Sequence, residues 1–146
     1  MNIAEFLSPH DTIELNAPEK QHLLSDLASM AAQKVGVPAD QIAAALMKRE
    51  ALGSTGMGHG AAIPHARFQE LRKPFGIFVK LKRPIDFDAI DGERVDLVFA
   101  LFLPEKAESG PLSALAAVAR KLRSADALTS LRAVKNRQEP FKAILG

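Results

Sequence analysis

At 146 residues, with 47% hydrophobic and 25% charged residues and no apolar run near the ~20 residues of a membrane span, the chain reads as one soluble globular domain. Cys is absent, which excludes disulfides, thiol catalysis and Cys-ligated metal. The net charge of +2 is unevenly spread: residues 1–103 hold 11 Lys/Arg against 13 Asp/Glu, residues 104–146 hold 8 against 4. With no Tyr, no Trp and no nucleic-acid motif, the basic excess reads as a solvated helix face and no nucleic-acid partner is expected. Met1 to Glu14 lacks the charged-then-apolar pattern of a signal peptide, so a cytoplasmic protein is expected.

In chain order, Thr12-Ile13-Glu14-Leu15 alternates like a short strand. Leu23, Leu27, Met30, Ala31 and Val35 recur at helical spacing, predicting a helix over residues 18–35 that Pro18 opens and Gly36 ends. Pro38 opens a second helix with Ile42, Leu46 and Leu52 inward and Gly53 at its end. Residues 53–60 hold four of the nine glycines and are predicted to be an irregular loop. Phe75, Ile77, Val79 and Leu81 alternate with Gly76, Phe78, Lys80 and Lys82, a strand with one wetter face. Val95 to Leu103 is apolar almost throughout, the mark of a central strand covered on both faces. Asp91-Gly92 is a turn. Leu112, Leu115, Ala116, Ala119 and Leu122 make a third helix, Ser124 caps a fourth with Leu128 and Leu131, and Pro140 starts a last turn. The expected fold is α/β (α+β), a three-layer helix/sheet/helix sandwich around one small mixed sheet.

The chemistry is concentrated in residues 49–67. Gly56-Met57-Gly58-His59-Gly60 invites a nucleotide-binding reading, but it follows a helix and enters a strand, and no Lys-Ser/Thr closes it. Its glycines permit positive φ and close backbone approach, so successive N–H groups can form an anion nest, with Ser54 and Thr55 adding hydroxyls. His65 is the candidate nucleophile, since neutral imidazole offers a lone pair at pH 7 and Pro64 stiffens the chain before it. From position alone, a half-buried histidine satisfied by a backbone carbonyl is the favoured reading. Arg49 is either an ordinary cation in a last helical turn or a phosphoryl ligand aimed into the glycine loop. His59 is either an exposed loop residue or, if the loop folds back, a second imidazole beside His65.

Other sites fail on spacing. His10, His22, His59 and His65 are scattered and no metal is expected. Counted as a calcium loop from Asp86, the twelfth position is Leu97 and the glycine falls at the seventh. Ser54 lacks the strand-to-helix elbow of a hydrolase nucleophile.

Arg-Glu-Ala-Leu-Gly-Ser-Thr-Gly at 49–56 with Ala-Ile-Pro-His at 62–65 resembles the IIA domains of the fructose/mannitol class of the bacterial phosphotransferase system, and among them the nitrogen-regulatory branch. The resemblance extends to Phe87-Asp88-Ala89-Ile90-Asp91 and to Val95–Leu101 with Pro104-Glu105, and implies a single type-2 IIA domain over residues 1–146 with the mannitol-type IIA fold. It implies that His65 accepts a phosphoryl group from a phosphohistidine carrier protein, itself charged by a phosphoenolpyruvate-dependent first enzyme. Arg49, Ser54, Thr55, Gly56 and His59 would then surround the phosphoryl group, with no cofactor. A chain without a fused permease component fits the regulatory branch, whose implied targets include a potassium transporter or a sensor kinase. Two positions depart from the pattern: His59 stands where relatives often have Asn or Asp, and Pro111, with Ser113 two residues on, stands where many have a second histidine. Two rival readings follow, a binding module of the same fold that is not phosphorylated, and the cytoplasmic domain of an anion exchanger, which would not need Pro64-His65.

Overall fold

A computed structural model describes residues 1–134 and 139–145. Its strands are β1 (Thr12–Leu15), β2 (Gly56–Gly58), β3 (Ala61–Ala62), β4 (His65–Phe68), β5 (Phe75–Ile85) and β6 (Val95–Pro104). Its α-helices are α1 (Lys20–Val35), α2 (Ala39–Ala51), α3 (Pro111–Arg123), α4 (Ala125–Ala133) and α5 (Glu139–Leu145). One mixed sheet runs β1-β5-β6-β3-β2, and β4 continues β3 along the same edge of β6. β5 and β6 are antiparallel, whereas β1 is parallel to β5 and β3 and β4 are parallel to β6.

The central strand is β6, and its alternation divides the core. Val98, Ala100 and Phe102 face a cluster built with Leu23, Leu27, Ile42 and Leu46 of α1 and α2. Leu97, Phe99, Leu101 and Leu103 face a second cluster with Ala114, Val118, Leu128 and Leu131 of α3 and α4. The sheet therefore lies between two helical layers, because a strand apolar at every position from Leu97 on can bury itself only from both sides. Among the described residues no helix is long and apolar enough to cross a membrane.

Local signals set the boundaries. Glu19 caps α1 by accepting the His22 N–H at 3.0 Å, and Gly36 ends it in a left-handed conformation at φ 72°. Ser124 caps α4 through the Ala127 N–H. Four expectations need correction. Residues 56–58 are a strand, paired antiparallel with β3, rather than irregular loop. Leu52 is 81% exposed, because the inward stripe of α2 is Ile42, Leu46 and Glu50 at strict i, i+4 spacing. The buried stripe of α3 is Pro111, Ala114, Val118 and Leu122, and Leu112 points to solvent. The supposedly wetter face of β5 is buried at Gly76 and Phe78 and polar only from Lys80 on, since the N-terminal 3-10 turn at Ile3–Glu5 helps cover its start.

Gly76 sits where Phe6 and Phe78 pack edge-on against Phe99. A Cβ there would lie 2.7 Å from Cε1 of the fully buried Phe99. Gly76→Ala is expected to cost about 1–3 kcal/mol through overpacking, read as a lower melting temperature with no change in fold.

Candidate functional site

The last turn of α2, the glycine hairpin and the start of β4 converge. From Arg49 and Glu50 the chain leaves the helix, passes Ser54 and Thr55, runs out along β2, reverses at His59-Gly60 and returns along β3. The reversal uses two left-handed residues, His59 at φ 55° and Gly60 at φ 79°. Pairing of Gly56 with Ala62, and the Ile63 N–H donating to the Thr55 carbonyl at 3.0 Å, bring Thr55 back beside the residues that precede His65. The strand edge then continues in constant register, with Ala62 opposite Val98 and His65 opposite Leu101.

His65 is half-buried, and its Nδ1 lies 2.8 Å from the Ile63 carbonyl oxygen. A carbonyl can only accept, so Nδ1 carries the proton and the lone pair resides on Nε2. Burial of the ring pushes its pKa below the ordinary value of 6.5. The Ile63 bond and Glu50 oppose that shift, and Arg49 and Arg67 reinforce it. The net effect keeps the ring neutral and nucleophilic at pH 7. The backbone carbonyl that satisfies the ring also selects the tautomer with its lone pair on Nε2, which is the tautomer a nucleophilic role would require.

The lowered pKa has a signed consequence. The unfolded chain binds this proton more readily than the folded one. The stability contributed by neutral His65 is complete above about 6.5 and is lost as pH falls through the lower folded value. We expect the His65 ring, followed by NMR, to titrate below 6.5, and the unfolding free energy to decline on that acid limb, less steeply in His65→Ala.

Arg49 donates from Nη1 to the Gly53 carbonyl at 2.8 Å, its one side-chain hydrogen bond among the described residues, which leaves most of its fork free and its charge within reach of His65. Ser54 Oγ donates to the Phe87 carbonyl at 2.7 Å and accepts the Gly56 N–H at 3.0 Å. Thr55 gives both its N–H, at 3.0 Å, and its hydroxyl to Glu50 Oε1. Of the donors expected to form an anion nest, the Ser54 and Thr55 hydroxyls and the Thr55 and Gly56 N–H groups are thus engaged within the protein, and they brace the loop. Gly56 packs against Ala89, where a Cβ would meet the Ala89 Cβ at 2.7 Å.

His59 is not brought to His65. Its N–H donates to Asp91 Oδ2 at 3.0 Å and its carbonyl accepts from Arg132 Nη2 at 2.6 Å, while the same guanidinium grips Asp96 at 2.9 Å. The N–H groups of Glu93 and His59 hold the exposed Asp91 carboxylate below its ordinary pKa. The neighbouring Gly60 carbonyl accepts from Asp96 and Leu97. Asp96 lies five positions along β6 from Leu101, the partner of His65, or about 16 Å at the rise of a strand residue. His59→Asn is accordingly expected to leave the chemistry at His65 within twofold of wild type, checked by parallel phosphorylation time courses.

Sequence reasoning gave no role to Glu50, although a signal was present. Its spacing from Ile42 and Leu46 puts it on the buried face of α2, where a carboxylate requires partners. Those partners are Thr55 and Lys20, whose Nζ lies 2.9 Å from Oε2. Lys20 also reaches Asp88 at 3.3 Å and stands 4.9 Å above the Phe87 ring. Burial works against the Lys20 charge, but Glu50 and Asp88 outweigh it and raise its pKa.

The family described as "Phosphoenolpyruvate-dependent sugar phosphotransferase system, EIIA 2" matches residues 6–145. A nitrogen regulatory protein of Bradyrhizobium diazoefficiens is 40% identical over 145 residues, covering 99% of this chain and 95% of that relative. The crystal structure of nitrogen regulatory protein IIA-Ntr from Neisseria meningitidis is similar with a TM-score of 0.91 at 32% identity, over 99% of each chain. IIA mannitol from Escherichia coli shares the fold, with a TM-score of 0.74 at 17% identity over 94% of this chain and 98% of that one. The chain belongs to the EIIA 2 family of the phosphoenolpyruvate-dependent phosphotransferase system, and within it is similar along its whole length to nitrogen regulatory proteins.

Proposed function

We propose that the chain is a regulatory phosphocarrier that accepts a phosphoryl group on Nε2 of His65 from a phosphohistidine carrier protein. The observation that carries this reading is the Nδ1–H bond to the Ile63 carbonyl, which leaves Nε2 as the ring's lone-pair atom. Nε2 forms the new P–N bond as the donor's P–N bond breaks. The donor ring leaves as neutral imidazole with its remaining N–H, and His65 becomes a phosphoimidazolium whose Nδ1–H stays on Ile63. No proton needs to move. Arg49 would stabilise the transferring group: a guanidinium about 4 Å from a phosphoryl oxygen contributes on the order of 4 kcal/mol at an effective dielectric of 20, before desolvation. The product carries an added charge of about −1.5 to −2 by analogy with other phosphoresidues, a signal that regulated proteins, such as a transporter or sensor kinase in the cytoplasm, can read.

One observation favours the rival reading as an unphosphorylated module. Pro111, where many relatives have a second histidine, is buried at the first position of α3 and supplies no imidazole. Incubation with phosphoenolpyruvate, the first enzyme and the carrier, followed by intact mass measurement, separates the two. One phosphoryl group, labile to acid and stable to base, is expected; an unmodified mass supports the module.

A further inference from the structure

Among the described residues Glu50 is the only charged side chain in the buried set, and its position does not serve the helix that carries it. It lies in the last turn of α2, the end at which the helix dipole disfavours an anion. What it does instead is organise the next segment. Its Oε1 receives the Thr55 N–H and hydroxyl, the Thr55 carbonyl receives the Ile63 N–H, and the Ile63 carbonyl receives Nδ1–H of His65. On its other side Oε2 is held by Lys20 of α1, which Asp88 and the Phe87 ring hold in turn. An unbroken series of hydrogen bonds therefore joins the start of α1 to the imidazole.

We propose that Glu50 is the positioning residue of the phosphoryl-acceptor site: through Thr55 and Ile63 it fixes the orientation of the His65 ring, and Lys20 balances its charge. The proposal rests on the phosphocarrier reading for its kinetic consequence and on geometry alone for its structural one. Glu50 touches neither the ring nor a transferring phosphoryl group, so it acts through Thr55. The mainchain bonds from Thr55 to Ile63 survive any side-chain change, so the loss of Glu50 loosens the ring without releasing it. The charged groups acting on the ring are Arg49 and Glu50 from α2 and Arg67 from its own strand. Removing the Glu50 charge leaves two cations there.

The test uses the full chain as wild type, Glu50→Gln, Thr55→Val, Thr55→Ser and the Glu50→Gln/Thr55→Val double variant. Each is phosphorylated from phosphoenolpyruvate through the first enzyme at a series of carrier concentrations. Glu50→Gln and Thr55→Val should lower the transfer rate at saturating carrier at least tenfold without moving the half-saturating concentration. Thr55→Ser should retain the wild-type rate, and the double variant should be no slower than the slower single, because both remove one linkage. If Glu50→Gln does not fold, the contrast between Thr55→Val and Thr55→Ser decides alone. NMR of the His65 ring gives an arm independent of phosphorylation: the Nδ1 proton should exchange faster in both Glu50→Gln and Thr55→Val, and the ring pKa should fall in Glu50→Gln only. Should wild type accept no phosphoryl group, the phosphocarrier reading fails and this arm alone judges the positioning. Transfer within twofold of wild type in folded Glu50→Gln and Thr55→Val, or an unchanged Nδ1 proton, would overturn the proposal.

Discussion

His65→Ala is expected to abolish phosphoryl acceptance, leaving no added mass under conditions expected to modify wild type fully. Nothing else at the site can take over the role. Arg49 is a cation, the Ser54 and Thr55 hydroxyls are committed to the Phe87 carbonyl and to Glu50, and His59 is tied to Asp91 and Arg132 at the other end of the sheet edge. The alanine variant also strips the buried Ile63 carbonyl of a donor, a cost of about 1–3 kcal/mol. His65→Asn controls for this, because an amide nitrogen at the position of Nδ1 can still donate to Ile63 while offering no nucleophilic lone pair. Both variants should be silent in phosphorylation, with asparagine melting closer to wild type. Persistent labelling of either would move the acceptor elsewhere.

Arg49→Ala should slow transfer by roughly 100- to 1000-fold, the range for loss of one charge-stabilising group at a reacting centre. Stability should change by less than about 1 kcal/mol, since its ordinary contribution is that of a cation at a helix end plus one exposed bond to Gly53. Arg49→Lys should recover only part of the rate, because an ammonium keeps the charge but not a planar fork able to hold Gly53 and a phosphoryl oxygen together. Rapid-quench transfer at saturating carrier distinguishes the three. A wild-type rate in Arg49→Ala would return the residue to its helix-end role.

The layers of this fold were legible because their signals are strong and local. The nearly continuous apolar run of β6 required two covering layers, and Gly36 and Ser124 marked helix ends that the backbone confirms. The glycine hairpin was not legible: Gly56-Met57-Gly58 has little intrinsic strand preference and becomes a strand only by pairing with β3, a tertiary effect. The phase of α3 was misread because its buried stripe includes Pro111 and Ala114, while the larger Leu112 faces solvent. The grouping of Arg49, Thr55 and His65 could be anticipated from one short segment and from the family resemblance. Its wiring could not, since Phe87, Asp88 and Lys20 arrive from distant parts of the chain. The separation of His59 from His65 follows from strand register, which a count of intervening residues does not reveal.

His65 is proposed to take its phosphoryl group on Nε2 while Nδ1 keeps its proton on the Ile63 carbonyl. Long-range proton–nitrogen NMR on the phosphorylated protein, labelled with nitrogen-15 in its histidines, tests it directly. On phosphorylation the Nε2 resonance of His65 is expected to shift and couple to phosphorus, while Nδ1 retains a slowly exchanging proton. A phosphoryl group found on Nδ1, or on any residue other than His65, would contradict it.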